Sequence, residues 1–325
     1  MKVVHWKILL LFVVLIPSHA LALTISNDNS WSALFGGKAA QYEISLLGLA
    51  NSQVSIHWEL SVKGRVLSRG QGRAGLDRDG LGVVQLTLAA PKLTPSAVVS
   101  GQLSVVVFEK DNTDPIAQKK IALNIYGQDV LWAERQALGT RQIQLFDPSQ
   151  ATAKAFKSLQ LPYNLISKSQ LLNVATPGLI VIGTGLALND VRGLTSVLLE
   201  LARNGQKVVI LKPVSGVFPL YDSSDFTRFP TAMSLSDHLP LPQLRGLTWP
   251  ELNSTLTYRL NPSYSDSEAE VEVIPETQTG WSWLQLDYAG SGGRLIVCTV
   301  PLIERIDESP VPQIVLARLL ANASL

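Results

Sequence analysis

Residues 141–166 read RQIQLFDPSQATAKAFKSLQLPYNLI, residues 178–185 read GLIVIGTG, and residues 198–213 read LLELARNGQKVVILKP. Ile143 to Phe146 has the composition of a strand, and Asp147-Pro148 supplies an N-cap and a proline at the first helical position. Ala151, Ala155, Phe156 and Leu159 then share one helical face. Tyr163 to Ile166 is a short strand. Leu179 to Ile182 is an unbroken apolar run, the pattern of a strand covered on both faces. Asn189 is placed to cap a helix carrying Val191, Leu194, Leu198 and Leu201, which Gly205 ends before a further buried strand, Lys207 to Leu211. This β-α-β-α-β series predicts an α/β three-layer domain with helices on both faces of a parallel sheet.

Downstream, residues 213–267 are rich in Pro, Ser and Asp and lack a sustained period, so they read as a long insertion. Strands are expected at Val271–Ile274, Trp281–Leu286 and Arg294–Val300, with Gly290-Ser291-Gly292-Gly293 as the turn between the last two. A closing helix is expected over Pro312–Ala321.

Upstream the period changes to two. Val54, Ile56, Trp58, Leu60 and Val62 alternate with Ser55, His57, Glu59 and Ser61, as in a strand with one wet face. Similar alternation recurs at 42–46, 84–88, 103–107 and 121–125, separated by turn signals at Lys63-Gly64, Asp77–Gly80 and Asp111–Pro115. About seven short strands in ~100 residues predict a β-sandwich over 24–126, followed by the α/β domain over 127–325. Asp77-x-Asp79-Gly80 resembles the start of a calcium loop, but the twelfth position is Leu88, so a plain turn is expected. His57 belongs to the wet face of its strand.

Lys2 and Lys7 precede nine apolar residues, Ile8 to Ile16, then Pro17, Ser18 and an Ala20-Leu21-Ala22 cleavage site. This predicts a signal peptide over 1–22 and a periplasmic or secreted protein. Nine residues cannot span a bilayer, which needs ~20. Cleavage would leave 25 basic against 26 acidic residues, a formal charge of −1, which offers nothing to nucleic acid. With one cysteine there is no intrachain disulfide and no multi-cysteine metal site, and only His57 and His238 survive processing.

Residues 54–72 (VSIHWELSVKGRVLSRGQG), 80–91 and 101–111 resemble the immunoglobulin-like sandwich of family 2 glycoside hydrolases, in which Trp58 occupies the position of a buried tryptophan. The order of segments 141–166, 178–185, 198–213, 290–305 and 310–324 resembles the class I glutamine-amidotransferase-like, flavodoxin-like fold. That resemblance implies a nucleophilic cysteine at an elbow after the strand Lys207–Leu211, together with an activating histidine. The matching positions are Leu211 and Lys212, neither of them a nucleophile, and Cys298 lies inside a late apolar strand. The resemblance therefore implies a copy that lacks the catalytic Cys.

No G-x-S-x-G elbow appears, and Gly183-Thr184-Gly185 lacks full dinucleotide or phosphate-loop spacing, so no cofactor is expected. A catalytic barrel of ~250 residues has no room between the two domains. Asp147, Asp222, Asp225, Asp237 and Asp287 are carboxylates available to a glycosidase pair, but none sits in a glycosidase motif. Open α/β sheets bind ligands beyond their strand ends, and aromatics supply binding surface. The candidate ligand-binding residues are accordingly Asp147, Thr184 and Lys212 at strand ends, and Tyr221, Asp225, His238 and Trp281 in or after the insertion. No catalytic or metal-ligating set is assigned. Three functions remain open: an exported non-catalytic protein that binds glycan or an envelope protein, an unusual glycoside hydrolase using paired carboxylates, and a scaffold subunit of an envelope complex.

Overall fold

The computed structural model describes residues 23–27, 30–110, 112–139, 143–171, 178–219, 230–236, 239–241, 256–262, 269–275 and 282–323. Eight strands come first: β1 (Thr24–Ser26), β2 (Ala33–Phe35), β3 (Ala39–Leu47), β4 (Gln53–Val62), β5 (Arg65–Gly75), β6 (Leu81–Ala89), β7 (Val98–Glu109) and β8 (Pro115–Tyr126). They form a three-stranded sheet, β1-β3-β6, and a five-stranded sheet, β2-β8-β7-β4-β5. The period-two pattern explains the arrangement. In β6, Val84, Leu86 and Leu88 are buried while Val83, Gln85 and Thr87 between them are exposed. Ile44, Leu46, Ile56, Leu60, Leu103 and Leu123 complete the core between the sheets. All pairings are antiparallel except β2 with β8.

Two details differ from, or refine, the sequence reading. Trp58 is half-buried, because it lies against β5, the last strand of its sheet, where a Cβ on Gly70 would come within 2.5 Å of the indole. At Asp77, one carboxylate oxygen accepts from the backbone N–H of Asp79 and of Leu81, so the local hydrogen bonds of a turn occupy it.

The second unit begins with α1 (Trp132–Leu138) and continues through β9 (Ile143–Phe146), α2 (Ala151–Ser158), β10 (Asn164–Leu165), α3 (Lys168–Leu171), β11 (Leu179–Ile182), a 3-10 turn (Leu188–Asp190), α4 (Leu194–Arg203) and β12 (Lys207–Leu211). Then follow β13 (Gly216–Pro219), β14 (Ala232–Ser236), β15 (Leu256–Pro262), β16 (Ala269–Pro275), β17 (Trp283–Tyr288), β18 (Gly293–Cys298) and α5 (Pro310–Ala323). The main sheet runs β10-β9-β11-β12-β18-β17-β14. Its first five strands are parallel and stand in the chain order 2-1-3-4-5, while β17 and β14 add an antiparallel edge. One face packs Phe156 of α2 and Ile314, Leu316 and Leu320 of α5 against Leu145, Val181 and Val209. The opposite face packs Leu194, Leu198 and Leu199 of α4 against Ile180, Ile182 and Val208.

Several boundaries move. Asp147 is not the N-cap of α2. The helix starts at Ala151, after Gln150 in a left-handed conformation, and the Asp147 carboxylate reaches forward to the N–H of Ala153. Asn189 lies in the 3-10 turn, and Gly193, at φ 74°, occupies the N-cap position of α4. The 213–267 stretch is not without strands: β13 and β15 flank β16 in a separate antiparallel sheet, and β14 joins the main one. These strands run only four to seven residues, and β13 and β15 end at Pro219 and Pro262, which leaves too short a stretch for a period to show in sequence.

The two units share packing. Ala33 of β2 belongs to the core beneath α5, and buried Ser309 donates its hydroxyl to the Ala33 carbonyl at 2.9 Å. Beside it, the Trp31 indole carries the Arg305 guanidinium at 4.6 Å and donates to Glu308 at 3.3 Å. Among the described residues no helix is long and apolar enough to cross a membrane.

Candidate functional site

In a parallel sheet every strand delivers the chain to the same edge, so residues far apart in sequence meet beyond the strand ends. Here β9 delivers Asp147, β11 delivers Gly183-Thr184-Gly185, β12 delivers Lys212, and β18 leads to the turn holding Glu304. The chain order reverses between β9 and β11, which makes their carboxyl ends the switch point of the sheet.

Asp147 is 2% exposed. One carboxylate oxygen accepts from the Ser149 hydroxyl at 2.7 Å and the other from the Ala153 N–H at 2.8 Å. The neighbouring position must be glycine, because a Cβ on Gly183 would sit 2.4 Å from the Asp147 carboxylate. Thr184, 5% exposed, donates its N–H to the Thr152 hydroxyl at 2.9 Å and its own hydroxyl to Glu304 at 2.9 Å. The same Glu304 oxygen accepts from the Lys212 ammonium at 3.0 Å. Lys212 has φ 35°, in the left-handed region that side chains other than glycine avoid. Its N–H donates to the Cys298 carbonyl at 2.6 Å and its carbonyl accepts from the Gly185 N–H at 3.0 Å, which holds the strained bend in place.

Of the sequence candidates, the structure brings together Asp147, Thr184 and Lys212. Tyr221, Asp225, His238 and Trp281 lie outside the described residues. Glu304, Ser149 and Thr152 were missed. Thr152 carried a usable signal, as a polar residue on the apolar face of α2, and Ser149 carried another in its Asp-Pro-Ser turn. Glu304 carried none, because it is joined to Lys212 only across 92 positions.

The geometry limits the chemistry. The glycine loop's N–H groups are all committed: Gly183 to Phe146, Thr184 to Thr152 and Gly185 to Lys212. They cannot cradle a phosphate, which needs several amides aimed outward. Asp147 is occupied by internal bonds, and Asp287 is ion-paired with Arg294 at 2.6 Å, so these two carboxylates do not form a hydrolytic pair. Asp222, Asp225 and Asp237 fall outside the described residues. Cys298, fully buried at the end of β18 beside Trp283 and Leu211, has its thiol pushed up to about 12 by burial, which outweighs a bond with the Val300 backbone. A thiol so protonated is a poor nucleophile. What the edge presents to solvent is the Lys212–Glu304 pair, with side chains 31% and 39% exposed. Such a pair can hold a polar group but offers no activated nucleophile.

No family model matches the chain, and no curated protein matches it. Among solved structures, it is similar over 33% of its length to 55% of the E. coli chaperone DraB, at 8% identity and TM-score 0.25. It is also similar over 37% of its length to 65% of the periplasmic chaperone SfaE, at 11% identity and TM-score 0.25. A third likeness spans 38% of this chain and 96% of a PapD-like domain of human CEP192, at 12% identity and TM-score 0.21. The chain spans about half the length of DraB and about two thirds of that of SfaE.

Proposed function

We propose that the chain is an exported, non-catalytic binding protein that recognises a glycan or an envelope protein, built from an immunoglobulin-like sandwich and an amidotransferase-like, flavodoxin-like α/β domain. The 2-1-3-4-5 order of the parallel strands, covered by helices on both faces, supports the second fold assignment. One observation carries the non-catalytic reading. At the bend after the fourth parallel strand, where the resemblance places a nucleophile elbow, Lys212 stands at φ 35° tied to Glu304, and the chain runs on into β13 instead of a helix. Backbone strain held where the chemistry is missing fits a bend that serves shape and recognition.

The test takes the mature protein, expected to begin near Leu23, from periplasmic or secreted material and confirms its start by intact mass. It should retain a glycan or protein from its native envelope and release no ammonia from glutamine. Ammonia release that disappears in Cys298→Ala, with folding intact, overturns this reading.

A further inference from the structure

The outer face of the five-stranded sheet carries an open cleft of about 560 Å³. Its walls are His57 and Glu59 on β4, Arg69 and Gln71 on β5, and Ser104 and Val106 on β7. Strand register aligns them. His57 stands between Gln71 and Val106, and Glu59 between Arg69 and Ser104. Phe108, next along β7, holds the His57 ring with centroids 5.0 Å apart.

Residues opposite one another on antiparallel strands are close enough to bond, and polar pairs usually do. The outer face of the other sheet behaves that way: Gln85 donates to Glu43 at 2.7 Å, and Gln41 bonds Thr87 at 3.2 Å. In the cleft none of the five polar side chains is hydrogen-bonded or ion-paired within the described residues, and Glu59 and Arg69 face each other without forming a salt bridge. Five side chains with open hydrogen-bonding capacity therefore converge on one trough beside an apolar strip of Val106 and the His57–Phe108 rings.

We infer that this cleft binds a neutral oligosaccharide, which rests on the binding-protein reading and gives its ligand a class and a place. Within the cleft lining the charges balance, because Glu59 offsets Arg69 across the strand pair, and Lys120, opposite Ser104 on β8, stands outside that lining. The mixture of donors and acceptors suits hydroxyls, each of which gives and takes a hydrogen bond: Arg69 only donates, Glu59 only accepts, and Gln71, Ser104 and His57 do both. The apolar strip suits the C–H face of a pyranose. The volume falls in the range of ligand sites, roughly 300–1,000 Å³, and the open shape suits a chain lying across the strands.

The test is affinity electrophoresis of the mature full chain through gels holding dextran, mannan, arabinogalactan or hydroxyethylcellulose, with alginate as the anionic probe. Glu59→Ala/Gln71→Ala is compared with Gln41→Ala/Gln85→Ala on the other sheet. All four side chains are on outer faces, and circular dichroism confirms that each variant folds. At least one neutral polysaccharide should retard the protein, and its affinity should fall about tenfold or more in the cleft variant only. Equal retardation of the cleft variant, or loss in Lys212→Ala instead, overturns the cleft and leaves the glycan reading standing. Retardation by alginate alone overturns the neutral class. No retardation in any gel overturns the inference outright, and capture of an envelope protein would then keep the broader binding reading alive.

Discussion

Ser309 joins the two units at a single atom, and its replacement has a calculable cost. Its hydroxyl accepts from the Val311 N–H at 3.2 Å, which caps α5 ahead of Pro310, and donates to the Ala33 carbonyl at 2.9 Å. The residue is fully buried, so water cannot replace either bond. Ser309→Ala loses a cap worth ~1 kcal/mol. It also strips a donor from a buried carbonyl, for a further ~1 kcal/mol. The sum is about 2 kcal/mol. Ser309→Gly separates the terms, because glycine at an N-cap costs only a few tenths of a kcal/mol and the remaining ~1 kcal/mol belongs to the bond to Ala33. Urea unfolding followed by tryptophan fluorescence reads both, with the slope unchanged if only stability changes. An alanine variant within ~0.5 kcal/mol of the parent refutes the account. A glycine variant equal to the parent refutes the inter-unit bond specifically.

Three further outcomes follow from the same structure. Lys212→Gly should be more stable than Lys212→Ala by ~1 kcal/mol, because both lose a partly exposed ion pair of small value but only glycine relaxes the φ of 35°; thermal unfolding of the pair checks it, and a more stable alanine variant contradicts the strain. Above about pH 9 the unfolded state loses the thiol proton that buried Cys298 keeps until about 12, so stability should fall with rising pH, at up to ~1.4 kcal/mol per pH unit from this group, and less steeply in Cys298→Ala. Urea midpoints between pH 8 and 10.5 test this, and equal slopes count against it; Tyr42, also pushed up to about 12 by burial, adds to the decline in both proteins. Gly183→Ala should cost ~1–3 kcal/mol, since its methyl group would overlap the buried Asp147 carboxylate, and a variant as stable as the parent would refute that contact.

The run Leu179–Ile182, buried at every position, and the alternation of β6 were readable because strand periodicity is a property of neighbouring residues. Helix starts were less readable. Asp147-Pro148 carries cap chemistry, but the buried carboxylate bonds Ser149 and Ala153, and α2 begins three residues after Pro148. Alternation put Trp58 on the inner face of its strand and the sandwich resemblance implied a buried tryptophan there, whereas its half-burial goes with lying against Gly70 of the edge strand β5.

By itself the sequence determined the period switch near residue 127, the parallel strand–helix alternation, and the absence of a nucleophile at Leu211 and Lys212. These are local quantities, set by side-chain type and backbone repeat. Only the tertiary structure decided that Lys212 and Thr184 meet on Glu304, that Ser309 reaches Ala33, and that Gln41, Glu43, Gln85 and Thr87 pair on one sheet face while the five polar residues of the cleft on the other do not within the described residues. Each of these depends on strand order and register, which are fixed by how whole faces pack to bury apolar surface, and packing joins residues without regard to their separation along the chain.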